Sequence, residues 1–488
     1  MSPERARRPR VLSLHPDRLL PAGSEERAVA REILAAMSAL PLVSPHGHLD
    51  ARLFLDDEPF VDPSHLLVTS DHYVVRLLHS QGVALEDLGV ARVDDARDAG
   101  PGTAAVTEAG GRAIWHLLCR HWGALAGTPS RLWLEHELHE LCGVREVPSP
   151  ETADTTYDTV AAALATDALR PRALFERFGL EVLTTTDSPL DDLAVHDALA
   201  ADASWKGRIL PTFRPDEVVD PGHPRFAANV VRLGEISGID TSRYAGYVSA
   251  LESRREAFRV RGATATDHGV AVSSTERIPA HEVEGTFARL VSGDGSAAEA
   301  EAFRGHMLDE MARMACDDGL VMQVHVGVVR DYDPATRARY GTDVGQDFSV
   351  ATEYTKTLRP LLSRYGDSDA LTLVLYTVDE TVYSREIGPL VSYFPALRAG
   401  APWWFLDAPD AMQRAFTALG ETAGIANMAG FVDDTRSLCG IGARHDVARR
   451  VCAGYLARLV CEHRLEIDEA LELGAGFAYH RPKAVFKV

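Results

Sequence analysis

The sequence predicts an α/β chain folded as a closed (β/α)8 barrel with a helical insertion after the first strand. Three observations predict it. Short, β-branched apolar runs recur along the chain, helix-patterned stretches separate them, and eight such runs can be counted. Strands alternating with helices pair in parallel, because a parallel crossover needs a long connection, usually a helix. Eight of them fit a barrel better than an open sheet. The competing arrangement, a doubly wound sheet, usually carries a Gly-rich phosphate turn after its first strand. Neither G-x-G-x-x-G nor G-x-x-x-x-G-K-[ST] occurs here.

The elements follow in order. Residues 1–10, MSPERARRPR, are expected to be a loose tail, and 11–488 a single barrel domain. RAVAREILAAMSAL has apolar residues at helical spacing, and PLVSPH (41–46) is the first strand. A long gap then runs to EVLTTT (181–186), with helix patterns at GRAIWHLLCRHWGAL and SRLWLEHELHELCGV. The gap is too long for a βα-loop. Residues 90–178 are therefore expected to form a helical insertion subdomain that caps one side of the barrel mouth. RILPTF (208–213), VRGATAT (260–266), LVMQVHV (320–326), LTLVLYT (371–377), the weaker ALRAGAPWW (396–404) and MAGFVDD (428–434) supply the other strands. Good helix formers, as in AEAEAFRGHMLDEMARMACDDG, lie between them.

Composition narrows the function classes. Lys plus Arg number 50 against 71 Asp plus Glu, a formal charge of −21. So acidic a surface repels phosphate backbones and anionic lipids, which argues against nucleic-acid and membrane partners. An anionic substrate would need a local cluster of arginines. Six dispersed cysteines form no C-x-x-C pair and read as reduced thiols of a cytoplasmic protein. No apolar run approaches the ~18 residues of a membrane span.

Barrel active sites sit at the C-terminal ends of the strands. Those ends carry His46 and His48, Asp187, Arg214, Asp267 and His268, His325, Tyr376 and Asp379, Trp403 and Trp404, then Asp434 and Arg436. In SPHGHLD, His-x-His sets both rings on one face of an extended chain, where they can share a divalent ion. Alone, the pair reads more readily as solvated or core-satisfied histidines. Asp434 supplies a carboxylate at the matching rim, since the eighth strand of a closed barrel lies beside the first. Gly47 suits a close backbone approach. Arg214 and Arg436, singly, read as ordinary ion pairs. Together at one rim of an acidic chain they suit bidentate capture of an anion. The Trp403–Trp404 pair suits packing or the apolar face of a sugar. Tyr73, in SDHYVVRLLHSQGV, is either a partly buried tyrosine or a catalytic one.

These motifs together resemble the uronate isomerase (glucuronate isomerase) family of the amidohydrolase superfamily. The likeness runs through PHGHLD, SDHYVVRLLHSQGV, TTTDSPLDDLAVH, LPTFRPD, TDHG, MQVHVGVVRDYD, GTDVGQD, GAPWWF and DDTRS followed by ARHD. The family's usual first-strand motif is Asp-x-His-x-His-Leu. Here Ser44 stands at the aspartate and Gly47 at the middle position, which leaves the ligands untouched.

The resemblance implies a distorted (β/α)8 barrel with one divalent metal, zinc by expectation, on His46, His48 and Asp434. It implies a pocket with Tyr73, His72, Arg436, Arg214 and Trp403 around a small-molecule hexuronate. The superfamily's bridging lysine is replaced by Thr266-Asp267-His268, which favours a mononuclear site. His325 resembles a fifth-strand histidine, as metal ligand or as substrate contact. The implied reaction is aldose–ketose isomerisation of glucuronate or galacturonate through an enediolate. Asp434 and Tyr73 are then candidates for moving the proton, Arg436 stabilises the negative oxygen, and Arg214 holds the C6 carboxylate. Two other classes compete: a metal-dependent hydrolase of the same superfamily, and a non-catalytic sugar-acid binding protein. The sequence leaves open whether the chain forms a homo-oligomer.

Overall fold

The structure, a computed structural model, describes residues 10–93 and 108–488. The expected loose tail lies outside these residues except for Arg10, and so do residues 94–107 of the expected insertion. Seven parallel strands form the central sheet: β1 (Leu42–Ser44), β2 (Leu180–Thr184), β3 (Ile209–Leu210), β4 (Ala265–Val270), β5 (Val321–Val326), β6 (Leu373–Thr377) and β7 (Leu397–Ala399). Ladders join β1-β2-β3 and β4-β5-β6-β7. Single parallel bridges, Phe213 to Thr266 and Ala399 to Met428, carry the order across the breaks. The chain is an α/β barrel whose strands follow sequence order, and it is distorted at both breaks.

Each distortion has a local cause. In β3, Pro211 has no N–H to give to a ladder, so pairing stops at Leu210 and resumes at Phe213, which bridges both Asp187 and Thr266. At the eighth position MAGFVDD makes only the Met428 bridge. Gly430 has φ +93°, and Phe431 N donates to the carbonyl of Phe477 at 3.2 Å instead of to a neighbouring strand. The fourth strand begins later than expected. Val260 ends the helix Tyr244–Val260 and is exposed, Gly262 turns the chain at φ +91°, and β4 then contains Asp267 and His268 instead of preceding them. Composition alone favoured strand at Val260, but the helix it terminates is packed along Tyr247, Leu251 and Phe258.

β5 is buried along its whole length, as a strand covered on both faces must be. The main apolar core joins β4–β7 to the helices Ala297–Asp318 and Gly440–Cys461. Ser24–Ser38 buries Ala30, Ile33 and Met37 in that core. A second apolar cluster, around Phe54, Trp115, Trp122 and Tyr157, lies among the helices between β1 and β2 and takes in Leu438 and Ile441. No described helix is long and apolar enough to cross a membrane.

Candidate active site

The site begins where β1 ends. His48 N donates to the carbonyl of Thr435 at 2.9 Å, and the Thr186 hydroxyl donates to the carbonyl of Gly47 at 2.7 Å. These bonds dock the first-strand end between its two neighbours. That docking closes the barrel and points both imidazoles at Asp434. Asp434 Oδ1 is 3.5 Å from His46 Nε2 and 3.1 Å from His48 Nε2. Asp434 holds φ +38°, a conformation few non-glycine residues adopt and one that clusters at functional sites.

These residues fit a divalent cation. One donor atom from each lies within 4.8 Å of the others. Asp434 Oδ1 is buried and has no hydrogen-bond donor, a costly state for a carboxylate oxygen unless a cation completes it. Burial brings the His46 imidazole down to about 4 against the pull of Asp267 and Asp434, so it is neutral, the form that ligates. Burial alone would raise the Asp434 carboxyl. The imidazoles of His46 and His48 outweigh it and hold the group well below the usual carboxylate range.

A second shared set, His46, Asp267 and His325, lies directly beneath, fully buried. His325 stacks between His46, at 4.9 Å, and Tyr376, at 4.1 Å. Its Nδ1 is 2.7 Å from Asp267 Oδ1. An ionised carboxylate only accepts, so Nδ1 carries a proton. Nε2 is buried without a partner. Asp267 is held from the other side by Arg214, whose Nη1 is 3.1 Å from Oδ2, while Arg214 Nε is 2.8 Å from Asp216.

Beside the donors, a cavity opens to solvent. Its wall includes His48, Asp434 and Arg436, and also His72 and Tyr73. The latter pair sit at the start of the helix His72–His79. Asp71 caps that helix, accepting from Tyr73 N at 2.8 Å and Val74 N at 3.2 Å. Burial, then Arg436, takes His72 down to about 3, and burial pushes the Tyr73 hydroxyl above its ordinary range. Trp403 also lines the cavity, 4.6 Å from His325, with Trp404 at φ +53°.

Arg436 and Arg330 face the cavity and share Asp343, at 3.1 and 3.4 Å. Arg444 lies deeper, 2.5 Å from Asp407 and 3.8 Å over the Trp133 ring.

Of the residues singled out from sequence, His48, His72, Tyr73, Trp403, Asp434 and Arg436 line one cavity. His46 and His325 lie against its floor, and Arg214 is apart, engaged by two carboxylates. Sequence reading missed Arg330, Asp343, Arg444 and Glu137. The first three stand inside MQVHVGVVRDYD, GTDVGQD and ARHD, stretches already singled out. Glu137 carried no signal.

A parallel barrel whose C-terminal rim gathers two histidines just past the first strand and an aspartate defines a class, the metal-dependent barrel enzymes. The chain belongs to the glucuronate isomerase family. That family's model, "Glucuronate isomerase", matches residues 25–486. A uronate isomerase of Rhizorhabdus wittichii is 47% identical over 98% of this chain and 99% of its own length. The crystal structure of glucuronate isomerase from Caulobacter crescentus superposes with a TM-score of 0.93 at 42% identity, covering 98% of both chains. That of uronate isomerase from Thermotoga maritima gives 0.88 at 28%, over 97% of this chain and 99% of that one.

Proposed function

We propose that the chain is an aldose–ketose isomerase that interconverts hexuronates, D-glucuronate with D-fructuronate and D-galacturonate with D-tagaturonate. The observation that carries this reading is full-length membership of the family, together with a metal-donor triad opening onto a cavity that holds guanidinia.

The chemistry moves a hydrogen from C2 to C1. His46, His48 and Asp434 would hold a divalent ion, zinc in our reading. When bound, it supplies positive charge near the oxygen that turns negative. Arg436, expected at the same oxygen, is in this reading assigned with Arg330 to the substrate carboxylate, since both guanidinia converge on Asp343. Tyr73 and Asp434, both on the cavity wall, are in this reading the groups that carry the proton. His72, neutral, donates or accepts beside them. Trp403 covers the apolar side of the sugar chain, and the free Nε2 of His325 is available to a substrate hydroxyl or to the ion.

For the C6 carboxylate, the paired guanidinia of Arg436 and Arg330 support capture more directly than Arg214 does. Arg214, bound to Asp267 and Asp216, acts in this reading through the His325–Asp267 pair. The chain's acidity supports the absence of nucleic-acid and lipid partners, and six unpaired cysteines support a cytoplasmic location.

The test is incubation of metal-assayed protein with D-glucuronate and with D-galacturonate, following ketose formation. Ketose from either supports the reading. No ketose from both, in metal-loaded protein, overturns it.

A further inference from the structure

Glu137 belongs to the cavity wall but has no part in the steps above. It stands where the helix Pro129–His136 passes into a π-turn, Glu137–Leu141. Such a turn adds a residue to the helical repeat and re-aims its side chains, and it recurs at functional sites. Glu137 is only 5% exposed. Among the described residues no hydrogen bond or ion pair reaches its carboxyl group; burial and the more distant charges of Asp71 and Arg444 are what act on it.

A carboxyl group on a cavity wall with no protein partner is left free to meet a bound molecule. The surroundings are arranged to leave it open. A Cβ on Gly440 would stand 3.3 Å from Glu137 Oε1, so the glycine keeps that side bare. The Ser437 hydroxyl, on the same cavity, is also buried and unpartnered. Burial, reinforced by Asp71 and opposed by Arg444, pushes the Glu137 carboxyl up to about 8. Near neutral pH it therefore keeps its proton and offers one donor and one acceptor. A hydroxyl is the complementary group, and a hexuronate carries several. A carboxylate is not, and Arg436 and Arg330 are better matched to it.

We propose that Glu137 binds substrate in this site, its carboxyl group hydrogen-bonding a hydroxyl of the bound hexuronate. This rests on the hexuronate reading above, and wild-type turnover tests that reading separately. The variants are Glu137→Gln, which keeps shape, donor and acceptor, and Glu137→Leu, which keeps bulk and removes both. With D-glucuronate and D-galacturonate as probes, Glu137→Leu should lower kcat/KM about tenfold or more, mostly through KM. Glu137→Gln should stay within about threefold of wild type. Metal content should hold in both, because Glu137 is not one of the metal-donor residues.

If Glu137→Leu does not fold, Glu137→Ala is read in its place. The proposal is overturned if the Leu or Ala variant keeps kcat/KM within about threefold on both sugars, or if its loss follows loss of metal. A Gln variant as impaired as the Leu variant overturns it too.

Discussion

His48 Nε2 lies 3.1 Å from Asp434 Oδ1, joining the first strand's end to the turn that follows the last strand position. The backbone bond from His48 N to the Thr435 carbonyl holds the two in register. We expect about one divalent ion per chain on His46, His48 and Asp434. The double variant His46→Ala, His48→Ala should lose it, with turnover. Metal analysis of the purified variant decides, and full retention of metal sinks the assignment.

Tyr73→Phe removes one hydroxyl and leaves the ring, so packing against Trp133 at 5.9 Å should survive. If Tyr73 carries a proton, kcat should fall by ~10²-fold or more with KM little changed. In heavy water the wild-type product should gain deuterium. A C2 deuterium label fully retained at C1, together with near-normal kcat in Tyr73→Phe, would count against both the enediolate route and this role.

The two arginines should part company. Arg436→Met should raise KM for uronates by roughly 10–100-fold, the size of a lost charge-assisted hydrogen bond. Arg214→Met should act chiefly on stability. It strands the carboxylate of Asp267, which is buried, and should cost roughly 3 kcal/mol in urea denaturation. A stable Arg214→Met protein with a selectively raised KM would return Arg214 to the substrate.

Gly400 follows β7, and a Cβ there would fall 2.5 Å from the Tyr376 ring. That ring supports His325 at 4.1 Å. Gly400→Ala should destabilise by about 1–3 kcal/mol and lower activity by shifting His325. Unchanged stability and kcat would show that the ring gives way freely.

Glu137 also predicts a pH effect. Its folded-state carboxyl is raised to about 8 from 4.5, so the folded state holds the proton more tightly. Its contribution to stability is full below about pH 4.5 and is lost as pH rises through about 8. The neutral Glu137→Gln variant lacks this loss. Its stability relative to wild type should therefore grow from pH 5 to pH 8, by at most ~1.4 kcal/mol per pH unit. Asp71 and Arg444 are the charges that act on Glu137, and both remain in the variant. A constant difference across the range would mean that Glu137 is not held protonated.

The sequence by itself determined the strand-and-helix alternation, the His-x-His face and the rim on which chemistry falls. These depend on local periodicity: side chains alternate along an extended chain, and a parallel barrel collects strand ends on one side. Asp434 could be paired with His46 and His48 because closing the barrel makes the first and last strands neighbours.

What depends on long-range packing was not legible. That Arg214 is held by Asp216 and Asp267, and that Arg330 meets Arg436 across Asp343, follows from which loops fold over the rim. The last strand position yields to hydrogen bonding with Phe477, far along the chain. Glu137 reads in sequence as one more charge on a helix. Only the tertiary structure buries it, because the helices between β1 and β2 pack against the turn after Asp434 and enclose its carboxyl with no partner of its own.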